Sequence, residues 1–247
     1  MRIAVWWEQE LWGGVDTHLL TLLLNWPDKN DQFIIFHNRG NQGMTRILAS
    51  LSKLKQVTTV PFPDSSSFLP APFAKVARYF SLPLRFLLMK RRAQRLLRFQ
   101  GPFDVLFANN GGYPGAWGTL AALWAGSSLG LRTRLLLVHH EAMGRGPLRH
   151  IFESLLDLGV QHWATDLVAV SRATRSTLME RRGFYAYLNP IRVIHNGVDM
   201  SADADTLKVD LRAQLAIPAD SFVVGMVGRL ERYKGCLLYT SDAADEE

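Results

Sequence analysis

The 247-residue sequence predicts an α/β fold in which a mostly parallel sheet is covered by helices on both faces. Three observations predict it. Short apolar runs of strand length alternate with longer segments of helical pattern through residue 197. Several of those runs are apolar throughout, as strands covered on both faces must be. The composition, 48% apolar and 20% charged, supplies material for a sizeable core.

The elements follow in order. "IAVWW" (3–7) reads as the first strand, and a helix from about Val15 to Trp26 buries Leu19, Leu20, Leu22, Leu23 and Leu24. Residues 32–38 read as a strand, 44–54 as a helix and 56–60 as a strand. Strands at 103–109, 133–140, 166–171 and 191–196 continue the series, separated by helices near 115–129, 148–163 and 172–182. "HNGVDMSADADTL" then breaks the pattern as a turn and linker, before a helix over 205–215 and a new strand over 221–227. The expected organisation is a first domain over 1–197, a linker over 198–220, and the first strand and loop of a second domain over 221–235. Sheets of this kind place ligands at the carboxyl ends of their strands, so the loops after the strands matter most.

Composition narrows the function classes. Residues 105–131 carry no charge, but Asn109, Asn110, Gly111, Gly112 and Pro114 leave an apolar run below the ~20 residues a membrane span needs. They read as strand, turn and buried small-residue helix. The start, "MRIAVWWEQELWGG", has acids where a secretion signal has its apolar core, and reads as structural. Cys236 is the sole cysteine, so disulfides and thiolate metal sites are excluded elsewhere, which suits the cytoplasm.

The formal charge is +6. Four acids (Asp242, Asp245, Glu246, Glu247) and no base follow Gly235, so the preceding chain is more basic still. Such a surplus favours anionic partners. Between Asp64 and Asp104 there is no acid, whereas Lys75, Arg78, Arg85, Lys90, Arg91, Arg92, Arg95 and Arg98 are basic and interleaved with large apolar residues. That pattern fits a helix lying on an anionic bilayer surface, with Lys90, Arg91, Arg92 and Arg95 facing it. It fits equally a packed helix with a solvated basic face. Nucleic acid is disfavoured, because the aromatic residues are not spread along a stacking platform.

Three loops carry chemistry. "WWEQELWGGVDTHLL" is strand, loop and helix, and Gly13-Gly14 would let an anion approach the free amides of the helix start. A plain tight turn accounts for the same pair. The spacing G-x-G-x-x-G is missing, which argues against a nicotinamide or flavin. "LLLVHHEAMGRG" ends a buried strand with His139 and His140 on opposite faces, so one of them points into the crevice. There it would bond a sugar hydroxyl or move a proton, unless a loop carbonyl merely satisfies it. No spaced third ligand accompanies them, so no metal site is expected. In "VVGMVGRLERYKG", Arg229 and Lys234 combine a forked donor and a point charge that suit a diphosphate, or are two solvated cations.

Taken together and in this order, the motifs resemble the family 4 retaining glycosyltransferases of the GT-B fold. "WGGVDTHLL", "LVAVSRATRSTL" (through Ser171), "IRVIHNGVD" and "VVGMVGRLERYKG" carry the resemblance, which spans residues 1–235. It implies two Rossmann-like domains, the first for the acceptor and the second for the donor. It implies transfer of a sugar from a nucleotide-sugar to a glycan or lipid-linked acceptor, with retention. The nucleotide-sugar is a co-substrate, and neither a further cofactor nor a D-x-D metal is implied. Gly13 and Gly14 would approach the donor phosphates, and His139 or His140 would contact the transferring sugar. Arg229 and Lys234 would neutralise the departing diphosphate, where charge builds up. Members that use lipid-linked acceptors work at the inner membrane face, which the basic helix would suit.

After Gly235 the family continues with a long helix and, much later, an E-x(7)-E segment. This sequence has neither. Residues 236–247 instead read as the translation of a transposon-end sequencing adapter. The expectation is therefore a gene fragment with a non-native tail, inactive alone although its parent is active. Two rivals stand beside it: a non-catalytic glycan- or lipid-binding module, and a sugar-nucleotide epimerase of the same fold, which "GRLxxxKG" disfavours.

Overall fold

The computed structural model describes residues 1–51, 56–63, 82–143, 150–181, 190–197 and 210–224. The chain divides into two compact units, Met1–Asp199 and Met200–Glu247.

In the first unit seven strands form one sheet: β1 (Arg2–Trp7), β2 (Gln32–Asn38), β3 (Val57–Phe62), β4 (Val105–Gly112), β5 (Thr133–His140), β6 (Asp166–Ala169) and β7 (Ile191–Val193). Their order is β3-β2-β1-β4-β5-β6-β7, and every neighbouring pair is parallel. This is a Rossmann-like arrangement. Chain order reverses between β1 and β4, which run side by side from Ile3↔Val105 to Trp7↔Asn109. A crevice opens outside the carboxyl ends of strands at such a reversal.

Alternation along the strands builds two cores. Ile3, Val5, Trp7, Phe33 and Ile35 pack on one face against Leu19 and Leu23 of α1 (Gly14–Leu24) and Met44 and Ile47 of α2 (Gly43–Leu51). Ala4, Trp6, Phe36 and Leu106 face the other way, onto Ala93 and Leu97 of α3 (Leu82–Gln100) and Ala122 and Ala125 of α4 (Trp117–Ser128). Leu136 and Val138 extend that second core to Leu156 and Val160 of α5 (His150–Trp163) and Leu178 of α6 (Arg172–Met179). The small residues of α4 have a cause: a Cβ on Gly126 would lie 2.6 Å from the Leu106 side chain. On its own face of the sheet α1 also reaches over β4 to the end of β5, where His18 meets His139. An apolar groove of about 220 Å³ lies there, bordered by Leu19, Leu22, Trp26, Phe107, Leu137 and Val168.

Differences from the sequence reading are local. β4 continues to Gly112, because Asn110 and Gly112 still pair with Val138 and His140. Ser171 is not strand but the cap of α6, its Oγ accepting from the Thr174 amide at 3.0 Å. In the second unit the helix expected over 205–215 is described as α7 (Leu211–Gln214). Ser221–Val224 joins no ladder among the described residues, and an apolar run becomes a strand only where another strand takes its hydrogen bonds. No helix among the described residues is long and apolar enough to cross a membrane.

Candidate functional site

The crevice between β1 and β4 is framed by the loop after β1 and the loop after β4. The first is anchored at both ends: the Gln9 amide donates to Asn38 Oδ1 at 3.0 Å, and the Gln42 amide to the Glu10 carbonyl at 3.1 Å. Gly13 then caps α1, with its own amide donating to the carboxylate of Asp16. Asp16 is wholly buried, and burial pushes its carboxyl above the ordinary range.

Gly14 opens the helix. A Cβ there would meet nothing within 4 Å, and a Cβ on Gly13 only the end of Gln9 at 3.9 Å. Neither glycine has a left-handed backbone, so the fold itself does not require them. Gly115 is different, since its Cβ would lie 2.6 Å from the Gly112 carbonyl. Gly14 thus leaves room at a helix start whose first amides lack intrahelical partners. The starts of two neighbouring helices are occupied: Glu8 accepts from the Gly118 amide of α4 at 2.7 Å, and Ser171 caps α6.

One turn beyond Gly14, His18 meets the end of β5. Its ring lies edge-on to His139, centroids 4.9 Å apart. His139 Nε2 donates to Asn109 Oδ1 at 2.8 Å, which leaves the proton off Nδ1 in the neutral ring. Burial, with the neighbouring His18 and His140 adding to it, lowers the His139 pKa to about 3, and burial lowers that of His18 as well. Of the two roles open to it, His139 is therefore suited to hydrogen bonding rather than proton transfer at neutral pH. Two buried polar atoms here, His18 Nδ1 and Asn109 Nδ2, have no partner among the described residues. Unpaired polar groups of this kind cost stability unless water or a ligand takes them up.

His140 emerges on the opposite face and is exposed. A buried network holds the loop that follows it. Arg181 binds Asp157 through Nε (3.0 Å) and Glu153 through Nη2 (3.1 Å), and its Nη1 donates to the Met143 carbonyl at 2.6 Å. Tyr113 donates to Asp157 at 2.7 Å, and the Met143 amide bonds the Tyr113 carbonyl at 2.9 Å. Burial opposes the charge on Arg181, but the two carboxylates more than offset it and raise its pKa. Thr177 of α6 completes the clamp by accepting from the Ala142 amide at 2.9 Å. The loops after β4 and β5 are thereby fixed to each other.

The structure thus brings Gly14 and His139 to one crevice and sets His140 on the other face of its strand. Arg229 and Lys234, like the tail at 236–247, lie outside the described residues. Of the four residues expected to face a membrane, Arg91 and Arg95 are exposed. Lys90 instead bonds Gln94 and lies over the Trp124 ring, and Arg92 donates to the Pro63 carbonyl at 3.0 Å. Sequence reasoning missed His18, Asn109 and the Arg181 network. The signals available were a histidine one helical turn after Gly14, and two asparagines closing an otherwise apolar strand.

A family model described as Glycosyltransferase Family 4 matches residues 12–202, more than three quarters of the chain. Among solved structures, a glycosyltransferase from Rickettsia africae ESF-5 is similar at 14% identity with a TM-score of 0.58, covering 100% of this chain and 57% of that one. The apo form of the lipopolysaccharide outer core galactosyltransferase WaaB is also found, at 16% identity and a TM-score of 0.48, covering 82% of this chain and 47% of that one. The chain spans about half the length of these structures. No curated protein sequence matches it.

Proposed function

The chain belongs to glycosyltransferase family 4, and on that premise we propose that it is the acceptor-side part of an enzyme moving a sugar from a nucleotide-sugar to a glycan or lipid-linked acceptor. The observation that carries the reading is Gly14, a glycine with open space at a helix start beside the unpartnered atoms of His18 and Asn109. That space suits a phosphate and the sugar attached to it. In this reading Gly13 and Gly14 admit the donor diphosphate, and Arg229 and Lys234, which lie outside the described residues, are its cationic partners. Charge growing on the departing diphosphate is what most needs stabilising, and a guanidinium with an ammonium does so directly.

His139, held neutral, offers a hydrogen-bond acceptor to a hydroxyl of the transferring sugar, and Asn109 fixes its tautomer. His140 and the clamped loop after β5 face the acceptor. The sugar leaves with its anomeric configuration retained, without a resident metal or further cofactor, on the cytoplasmic side of the membrane.

The test is to express the uninterrupted reading frame and incubate it with a panel of labelled nucleotide-sugars and glycan or lipid acceptors. A glycosylated product whose anomeric signal in NMR matches the donor's supports the proposal. Release of an epimerised nucleotide-sugar, or binding of glycan without any transfer, would replace it with one of the rival activities.

A further inference from the structure

The crevice holds one polar side chain whose hydrogen-bonding groups the fold leaves unused. We propose that Gln9 is a specificity-determining residue that reads neighbouring hydroxyls of a sugar ring, which deepens the transferase reading and rests on it.

The position of Gln9 is set by its backbone rather than by its side chain. Its amide donates to Asn38 Oδ1 at 3.0 Å, and the carbonyl of the next residue, Glu10, accepts from the Gln42 amide at 3.1 Å. Both anchors come from the end of β2 and the loop that follows it. The side chain is left to extend over the crevice, and two glycines make room for it. A Cβ on Gly111 would lie 3.3 Å from Gln9 Oε1 and 3.5 Å from Val15 Cγ2, and one on Gly13 would lie 3.9 Å from Gln9 Nε2. The carboxamide therefore spans from the end of β4 to the start of α1, at the point where chain order reverses.

The neighbouring carboxamides are engaged. Asn109 Oδ1 accepts from His139 at 2.8 Å, Asn110 Nδ2 donates to the Gly115 carbonyl at 2.9 Å, and Asn38 Oδ1 holds the Gln9 amide. The side-chain carboxamide of Gln9 has no hydrogen-bond partner among the described residues, and the residue is half-buried rather than sealed inside. A polar group held at such a place is satisfied by water until a ligand displaces it.

Its chemistry selects the ligand group. A carboxamide carries an accepting oxygen and a donating nitrogen side by side in one plane. Neighbouring hydroxyls of a sugar ring present the complement, since each hydroxyl both donates and accepts. The carboxamide is uncharged, so it adds little for a diphosphate, whose place is the helix start at Gly14. An apolar ligand would leave both of its polar ends unpaired, which costs binding. Recognition of hydroxyls is the use that remains. Selectivity of this kind is steep, because an analogue lacking the hydroxyl strands the polar group of the protein.

The test uses Gln9→Met, which keeps the length of the side chain and removes its amide. No hydrogen bond of the fold is lost, so its thermal melt should match that of the unaltered chain. The chain is titrated with the methyl glycosides of glucose, galactose and mannose, and binding is read by saturation-transfer NMR. At least one glycoside should bind. Two neutral hydrogen bonds of roughly two- to twelve-fold each predict that Q9M weakens it about ten-fold or more. Removing the contacted hydroxyls from that glycoside should weaken binding to the unaltered chain but add nothing to the loss in Q9M. In the complete enzyme Q9M should raise KM and leave kcat little changed. A rise confined to the acceptor assigns the hydroxyls to it, and a rise confined to the nucleotide-sugar assigns them to the transferring sugar. Absence of glycoside binding, equal binding by Q9M, a loss indifferent to the hydroxyls of the sugar, or a fall in kcat alone would overturn the proposal. Glycoside binding needs neither donor nor turnover. A chain that binds through Gln9 while the complete enzyme transfers nothing therefore refutes only the transferase reading, and transfer without Gln9-dependent binding refutes only the role of Gln9.

Discussion

His139 at the end of β5 donates through Nε2 to Asn109 of the neighbouring strand at 2.8 Å, with the ring of His18 closing over it. The pair lies at the carboxyl edge of the sheet, where chain order reverses. A neutral imidazole with its tautomer fixed is a static hydrogen-bonding group.

That state predicts an acid-sensitive stability. The folded pKa of about 3 lies below the unfolded value of ~6.5, so the contribution is complete above pH 6.5 and is lost as pH falls toward 3. At pH 5 the loss should reach about 2 kcal/mol, and His18 shifts in the same direction. Urea unfolding of His139→Gln at pH 7 and pH 5 should show a difference smaller by that amount. An unchanged difference would mean that the ring is not buried in its neutral form.

Gly14→Ala separates ligand from fold. The added methyl meets open space at a helix start, so stability should hold or rise by up to ~1 kcal/mol. In the complete enzyme the same methyl should reduce turnover at least about ten-fold, since ~1.4 kcal/mol corresponds to a factor of ten. Undiminished transfer would remove Gly14 from the donor site.

Arg181→Met should cost about 3–5 kcal/mol near pH 7, because Glu153 and Asp157 stay buried without a counter-charge. Urea denaturation midpoints measure it, and a deficit below about 1 kcal/mol would mean that the two acids do not depend on the Arg181 charge.

Arg229→Ala and Lys234→Ala, made in the uninterrupted enzyme, should each lower kcat/KM for the nucleotide-sugar by roughly 10- to 150-fold, from ~1.5–3 kcal/mol per charge-assisted contact. Thermal stability should change little. Steady-state kinetics with varied donor decides, and unaltered constants would refute contact with the diphosphate.

Much of the fold was legible because its signals are local. "QFIIFHN" and "TRLLLVHH" become β2 and β5 over the same residues, since uniformly apolar runs have no stable place except inside a covered sheet. The opposite facing of His139 and His140 follows from the two-residue period of a strand. Asn109 and His18 were less legible: they lie 30 and 121 residues from His139 in sequence, and only the parallel pairing of β4 with β5, with α1 folded over it, brings them together.

The sequence by itself determined the class of fold, the run of elements, the basic helix and the family, because periodicity and short motifs are properties of neighbouring residues. Only the tertiary structure decided which charges are spent inside and which face out. Arg181 is consumed by two acids of α5, Lys90 and Arg92 turn back on the fold, and Arg91 and Arg95 remain at the surface. Net charge is a sum along the chain, whereas exposure depends on which helix packs against which, and that is fixed by contacts between residues far apart in sequence.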